Sequence, residues 1–143
     1  MATVRSAHTV WTGDLFAGSG QVTLDSSQLG TYDVTWKARA EESGGKTSPE
    51  ELIAAAHSSC FSMQFSNLLS EEGKTADRIE TNAEVDFQPG EGITAIRLTL
   101  KASIPGISEE DFQRIADHAK TSCPVSQALT GVKNISLDAA LAS

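Results

Sequence analysis

Apolar and polar residues alternate through the first third of the chain, which predicts short strands rather than helices. Residues 4–12 read as a strand, and Gly18, Ser19 and Gly20 mark a turn into Gln21-Val22-Thr23-Leu24, which alternates again. After a second turn near Leu29-Gly30, Tyr32, Val34 and Trp36 share one face while Asp33, Thr35 and Lys37 share the other. These segments predict a small antiparallel meander. The polar stretch Glu41-Glu42-Ser43-Gly44-Gly45-Lys46 then reads as a loop.

The period changes at Ser48. Ser48 is placed as an N-cap, Pro49 suits the first helical position, and Glu51 stands three residues after the cap as its capping-box partner. Apolar residues (Ile53, Ala54, Ala55, Ala56, Phe61, Met63, Phe65, Leu68, Leu69) follow up to about Gly73 and cover most of the helix circumference, so burial on several sides is expected. Beyond it, Ile79–Phe87 reads as a strand, with a turn at Pro89-Gly90-Glu91-Gly92. In the next strand Ile96, Leu98, Leu100, Ala102 and Ile104 line one face and Arg97, Thr99, Lys101 and Ser103 the other. Ser108 opens a helix with an apolar stripe of Phe112, Ile115, Ala116 and Ala119; a short helix from Cys123 and a strand Ile135–Leu141 complete the chain. The order predicts an α+β fold of two antiparallel meanders with a long central helix.

The length of 143 residues suits one domain, 1–143, whose core a second copy can complete. A formal charge of −8 argues against nucleic acid and anionic membranes as partners, because both require a basic face. Neither a secretory leader nor a bilayer-length apolar segment is visible, so a cytoplasmic location is expected. The three histidines and two cysteines lack metal-ligand spacing, and no metal or other cofactor is expected.

In a reducing compartment the cysteine pair, Cys60 and Cys123, is either inert and buried or redox-active. A reacting thiol with a resolving partner is protected, because the sulfenic acid is trapped as a reducible disulfide before it reaches sulfinic acid. Burial of Cys60 in an apolar helix disfavours its thiolate, so a cation must offset the desolvation. The candidates are an arginine and His57, which precedes Cys60 by three residues and neighbours it on the helix surface. A Cys60–His57 nucleophile pair is one reading of that spacing, and a histidine filling a half-buried face is the other.

The segments Trp11-Thr12-Gly13-Asp14, Arg39, Ser48-Pro49-Glu50-Glu51-Leu52-Ile53-Ala54-Ala55-Ala56-His57-Ser58-Ser59-Cys60-Phe61-Ser62-Met63 and Cys123-Pro124-Val125-Ser126 closely resemble the OsmC branch of the OsmC/Ohr family of hydroperoxide-reducing proteins. The resemblance runs nearly end to end and implies a two-layer α+β fold and a thiol peroxidase. It assigns peroxide attack to Cys60, resolution to Cys123, thiolate stabilisation and peroxide polarisation to Arg39, and orientation of that arginine to Glu50. Ala40 departs from the pattern, since members of the branch typically carry an aromatic residue there. An external dithiol or low-molecular-weight thiol is the implied reductant. A pocket built from Phe61, Met63 and Phe65 would favour organic hydroperoxides over hydrogen peroxide.

Glu50 and Cys60 stand about 15 Å apart along one straight helix, too far to share a site within it. Two copies of the helix packed antiparallel about Ala55 would bring Glu50 of one level with Cys60 of the other, so a homodimer with sites at its interface is expected. The competing functions are a Cys–His acyl-transferase or hydrolase, and a non-catalytic redox-sensing module that would need a protein partner.

Overall fold

The computed structural model describes residues 1–142 and contains, in chain order, β1 (Ala7–Thr12), β2 (Ser19–Leu24), β3 (Thr31–Val34), α1 (Trp36–Ala40), α2 (Pro49–Glu71), β4 (Arg78–Gln88), β5 (Gly92–Ser103), α3 (Glu109–Ser122), α4 (Pro124–Ala128) and β6 (Ile135–Leu141). The fold is α+β, with two three-stranded sheets ordered β1-β2-β3 and β4-β5-β6. Contacts divide the chain into two compact units, residues 1–52 and residues from 53 onward.

The first unit is the predicted antiparallel meander, with two changes. Ser19 and Gly20 lie in β2 rather than in a turn, because Gly20 pairs with Trp11 and the indole lies over it: a Cβ at Gly20 would stand 2.7 Å from the Trp11 ring. The turn falls earlier, where Gly13 takes a positive φ of 90° and the Asp14 side chain accepts the Ala17 N–H at 2.7 Å. Trp36 does not continue β3. The Thr35 hydroxyl accepts the Ala38 N–H at 3.1 Å and starts α1, so a local cap overrides the alternation. Few side chains are buried in this unit, chiefly Val22, Ala38 and Glu50, while every residue of β1 is exposed.

Helix α2 begins and ends at positions the sequence marks. The Ser48 hydroxyl accepts the Glu51 N–H at 3.1 Å, one half of the expected capping box. The other half is absent, because the Glu51 carboxylate takes the Thr47 hydroxyl instead, at 2.6 Å. At the far end Gly73, with φ of 73°, closes the helix in a Schellman motif: Lys74 N–H donates to Leu69 O at 2.9 Å and Gly73 N–H to Ser70 O at 3.0 Å. Burial of α2 is one-sided. Phe61, Phe65, Leu68 and Leu69 enter the core, whereas Ala55, Ala56, Ser59 and Met63 stay exposed on the opposite face.

The sheet supplies the other wall of that core. Leu98, Leu100 and Ala102 of β5, followed by Ile104, alternate inward as expected, and Phe112, Ile115, Ala116 and Ala119 of α3 close over them. Phe65 meets Phe112 edge to face with ring centres 5.8 Å apart. Each such fully buried side chain contributes roughly 1.5–3 kcal/mol of transfer free energy. The β4–β5 hairpin is antiparallel, and β6 returns after α3 and α4 to pair with β5 in parallel.

Candidate active site

Cys123 occupies the joint between two helices. Pro124 disfavours helical geometry in the residue before it, so Cys123 adopts an extended ψ of 123° and α3 stops, while the proline itself fits the first position of α4. Its N–H still donates to Ala119 O at 2.9 Å and its carbonyl accepts the Gln127 N–H at 3.0 Å. The Cys123 side chain is wholly buried in the core cluster.

Cys60, half-buried on α2, interacts with that joint. Burial pushes its thiol above the ordinary value; the Val125 backbone N–H, donating to the sulfur, opposes this, and the hydrogen bond and charge of Cys123 raise it further. No disulfide joins the two cysteines in this structure. The arrangement puts a second thiol beside the first, as capture of a sulfenic acid requires.

His57 serves another contact than the one its spacing to Cys60 allowed. The ring is fully buried, and its Nε2 lies 2.7 Å from the Ser126 hydroxyl on α4. Its buried Nδ1 has no hydrogen-bond partner among the described residues, a cost on the order of 1–3 kcal/mol. Desolvation lowers the pKa of the ring and so favours its neutral form. A Cys60–His57 nucleophile pair is thus not formed, and the Ser126–His57 contact lacks both solvent access and the carboxylate that would orient a catalytic base.

Arg39 and Glu50 meet within the first unit. The short helix α1 presents the guanidinium, and the first turn of α2 presents a buried carboxylate: Nε lies 3.0 Å from Oε1 and Nη2 2.9 Å from Oε2, a two-pronged fork. The carboxylate is shielded, with its side chain 7% exposed, whereas the guanidinium is 33% exposed. Glu50 also stands at a helix N-terminus, where negative charge is favourable, so it fixes the cation without loss to the helix.

The structure therefore brings together Cys60 with Cys123, and Arg39 with Glu50. It does not assemble Phe61, Met63 and Phe65 into a pocket: Phe61 and Phe65 are core residues with no exposure, while Met63 is 72% exposed on the far side of the helix. Among the described residues no cluster of three or more histidine, cysteine or acidic side chains is arranged to hold a metal ion. Sequence reasoning passed over Val125 and Ser126. The available signal was spacing, since Ser126 follows Cys123 by three residues just as His57 precedes Cys60 by three.

Comparison with known proteins identifies the family and the fold. A family model described as "OsmC-like protein" matches residues 41–138. Peroxiredoxin OsmC of Escherichia coli (strain K12) is 41% identical over 136 residues, covering 93% of both chains. Organic hydroperoxide resistance protein OhrB of Bacillus subtilis is 26% identical over 121 residues, covering 84% of this chain and 88% of its own. The fold is shared with an OsmC-like protein from Mycoplasma pneumoniae (TM-score 0.75, 17% identity, 100% of each chain). It is also shared with OhrB in its crystal structure (TM-score 0.64, 24% identity, 95% of this chain and 97% of that one). With a matched region that spans most of the chain and a relative at 41% identity, this protein belongs to the OsmC-like family.

Proposed function

We propose that the protein is a thiol-dependent peroxidase that reduces organic hydroperoxides and, less efficiently, hydrogen peroxide. The observation that carries this reading is the packing of Cys60 against the core cluster that holds Cys123 at the α3–α4 joint. The Cys60 thiolate attacks the distal peroxide oxygen, the O–O bond breaks, and the alkoxide leaves as alcohol after taking up a proton. The sulfenic acid at Cys60 then condenses with the Cys123 thiol, releasing water and forming the disulfide. An external dithiol or low-molecular-weight thiol returns both sulfurs to the reduced state by exchange. Relatives named peroxiredoxin and organic hydroperoxide resistance protein support the assignment.

The surroundings of Cys60 raise its pKa, so a positive charge must be added for reaction at neutral pH. In our reading Arg39, held by Glu50, supplies it, stabilising the thiolate and the oxygen that leaves with negative charge. The helical separation of Glu50 and Cys60 favours delivery across a homodimer, the Arg39–Glu50 fork of one protomer serving Cys60 of its partner. The exposed apolar side chains Val10, Trp11 and Phe16, and the uncovered small-residue face of α2, support such an assembly. The same reading takes residues 1–143 as one OsmC-like domain, with no cofactor beyond the external thiol, acting in a cytoplasmic thiol pool; no helix is long and apolar enough to cross a membrane among the described residues.

The test is direct. One equivalent of organic hydroperoxide added to the reduced protein consumes both thiols and yields an intramolecular 60–123 disulfide in peptide mapping. Loss of Cys60 alone, or of neither thiol, overturns the assignment. Cys123→Ser separates peroxide from acyl chemistry, because only repeated peroxide turnover needs the second sulfur.

A further inference from the structure

The pair His57–Ser126 and the pair Cys60–Cys123 form two rungs of one ladder. His57 and Cys60 are three residues apart on α2, and Ser126 and Cys123 are three apart in the opposite direction across the joint. A third link lies on the other side of the cysteines, where Gln64 Nε2 donates to the Ser122 hydroxyl at 2.8 Å. The reactive sulfurs are thus bracketed by hydrogen bonds that tie α2 to the end of α3 and the start of α4.

His57 is the costly member of this set. It is a fully buried polar ring with one nitrogen unpartnered among the described residues, at a position where an aliphatic side chain would fill the space without that cost. The proposed peroxidase chemistry makes no use of it as acid or base. Its single bond reaches the short helix that carries the Val125 N–H and follows directly from Cys123.

We propose that the buried His57–Ser126 hydrogen bond is a positioning device for resolution, holding α4 against α2 so that Cys123 stays within reach of Cys60 once that sulfur is oxidised. The inference rests on the peroxidase reading. Two reactions compete for the sulfenic acid: the Cys123 thiol displaces water to give the disulfide, or a second hydroperoxide transfers an oxygen to give sulfinic acid and another alcohol. A loosened α4 slows only the first. Five residues of helix hold few bonds of their own, so the buried link is a large share of what fixes the joint.

The experiment measures how Cys60 partitions. Reduced protein is treated with excess organic hydroperoxide without reductant, and intact mass separates disulfide, which loses two hydrogens, from sulfinic acid, which gains two oxygens. Ser126→Ala raises the ratio of sulfinic acid to disulfide about fivefold, the scale of one lost hydrogen bond. Ser126→Thr keeps the hydroxyl and restores the wild-type ratio. His57→Gln presents a polar nitrogen near the Nε2 position but does not titrate, and it keeps the ratio low, whereas His57→Leu behaves like Ser126→Ala. A ratio unchanged in a folded Ser126→Ala protein overturns the inference, as does His57→Gln behaving like His57→Leu, which would make the ring a proton carrier. If the wild type forms no disulfide at all, it is the peroxidase reading that fails, and the two results are distinguishable.

Discussion

A cysteine in this setting is held back by its own burial, and the residues around it divide into those that raise the thiol pKa and those that lower it. The Val125 N–H lowers it, burial and Cys123 raise it, and the proposed cation is Arg39. Removing that charge with Arg39→Ala should move the pH dependence of peroxide reduction to higher pH, since more alkaline solution is then needed to form the thiolate. A rate profile superimposable on the wild type would show that Arg39 does not act on the sulfur. Glu50→Gln keeps an acceptor but removes the charge that anchors the fork, and kcat/KM for an organic hydroperoxide should fall on the order of tenfold through misplacement of the guanidinium. His57 gives a stability prediction with a definite sign. Its folded-state pKa lies below 6.5, so the unfolded chain binds the extra proton first, and stability falls as pH drops below about 6.5 towards the folded value. Urea midpoints at pH 7.5 and 5.5 should differ less in His57→Gln than in the wild type; an equal difference would show that the buried ring is not what titrates.

At the scale of elements, local chemistry decided most boundaries. The Ser48 cap, the proline at 49 and Gly73 delimit α2 where the sequence marks them, and Ser108, whose hydroxyl accepts the Asp111 N–H at 3.1 Å, opens α3. Gly73→Ala should cost about 1–2 kcal/mol, the penalty for a Cβ in left-handed backbone, measurable as a lower urea midpoint at constant m-value. The core face of β5 was readable from its alternation, and Leu100→Ala should cost about 2–5 kcal/mol by the same measurement, because the side chain is fully enclosed. Two boundaries were not readable in this way. Trp36 satisfies the alternation of β3, yet Thr35 offers its hydroxyl to the next turn and the chain winds into α1. Gly20 carries a turn residue's signature but lies in a strand, because the Trp11 ring takes the space above it.

The whole molecule carries too little buried surface in its first 52 residues for that unit to account for its own order: β1 is exposed throughout, with Val10 at 62% and Phe16, just after it, at 77%. The proposed dimer would supply the missing cover, and sedimentation at micromolar concentration should give twice the chain mass of 15.1 kDa. Mixing distinguishes sites shared between protomers from sites within one. At neutral pH Cys60→Ser is inactive and Arg39→Ala strongly impaired in this reading, but after exchange of subunits a heterodimer pairs the intact Arg39 of one chain with the intact Cys60 of the other. Random exchange should restore about a quarter of wild-type activity, and complete absence of recovery, with exchange verified, would place each site within one chain.

The sequence by itself determined what depends on neighbours along the chain: strand alternation, helix caps, the amphipathic stripe of α3, and the presence of two cysteines in a family pattern. These are legible because periodicity and capping act over a few residues. Tertiary structure decided which distant groups meet. It joined Cys60 to Cys123 across 63 positions, paired Arg39 with Glu50 in a fork, and turned His57 from Cys60 towards Ser126. It also moved Phe61 and Phe65 from an expected pocket into the core, since the face of a helix that is apolar almost all round is chosen by what packs against it rather than by its own composition.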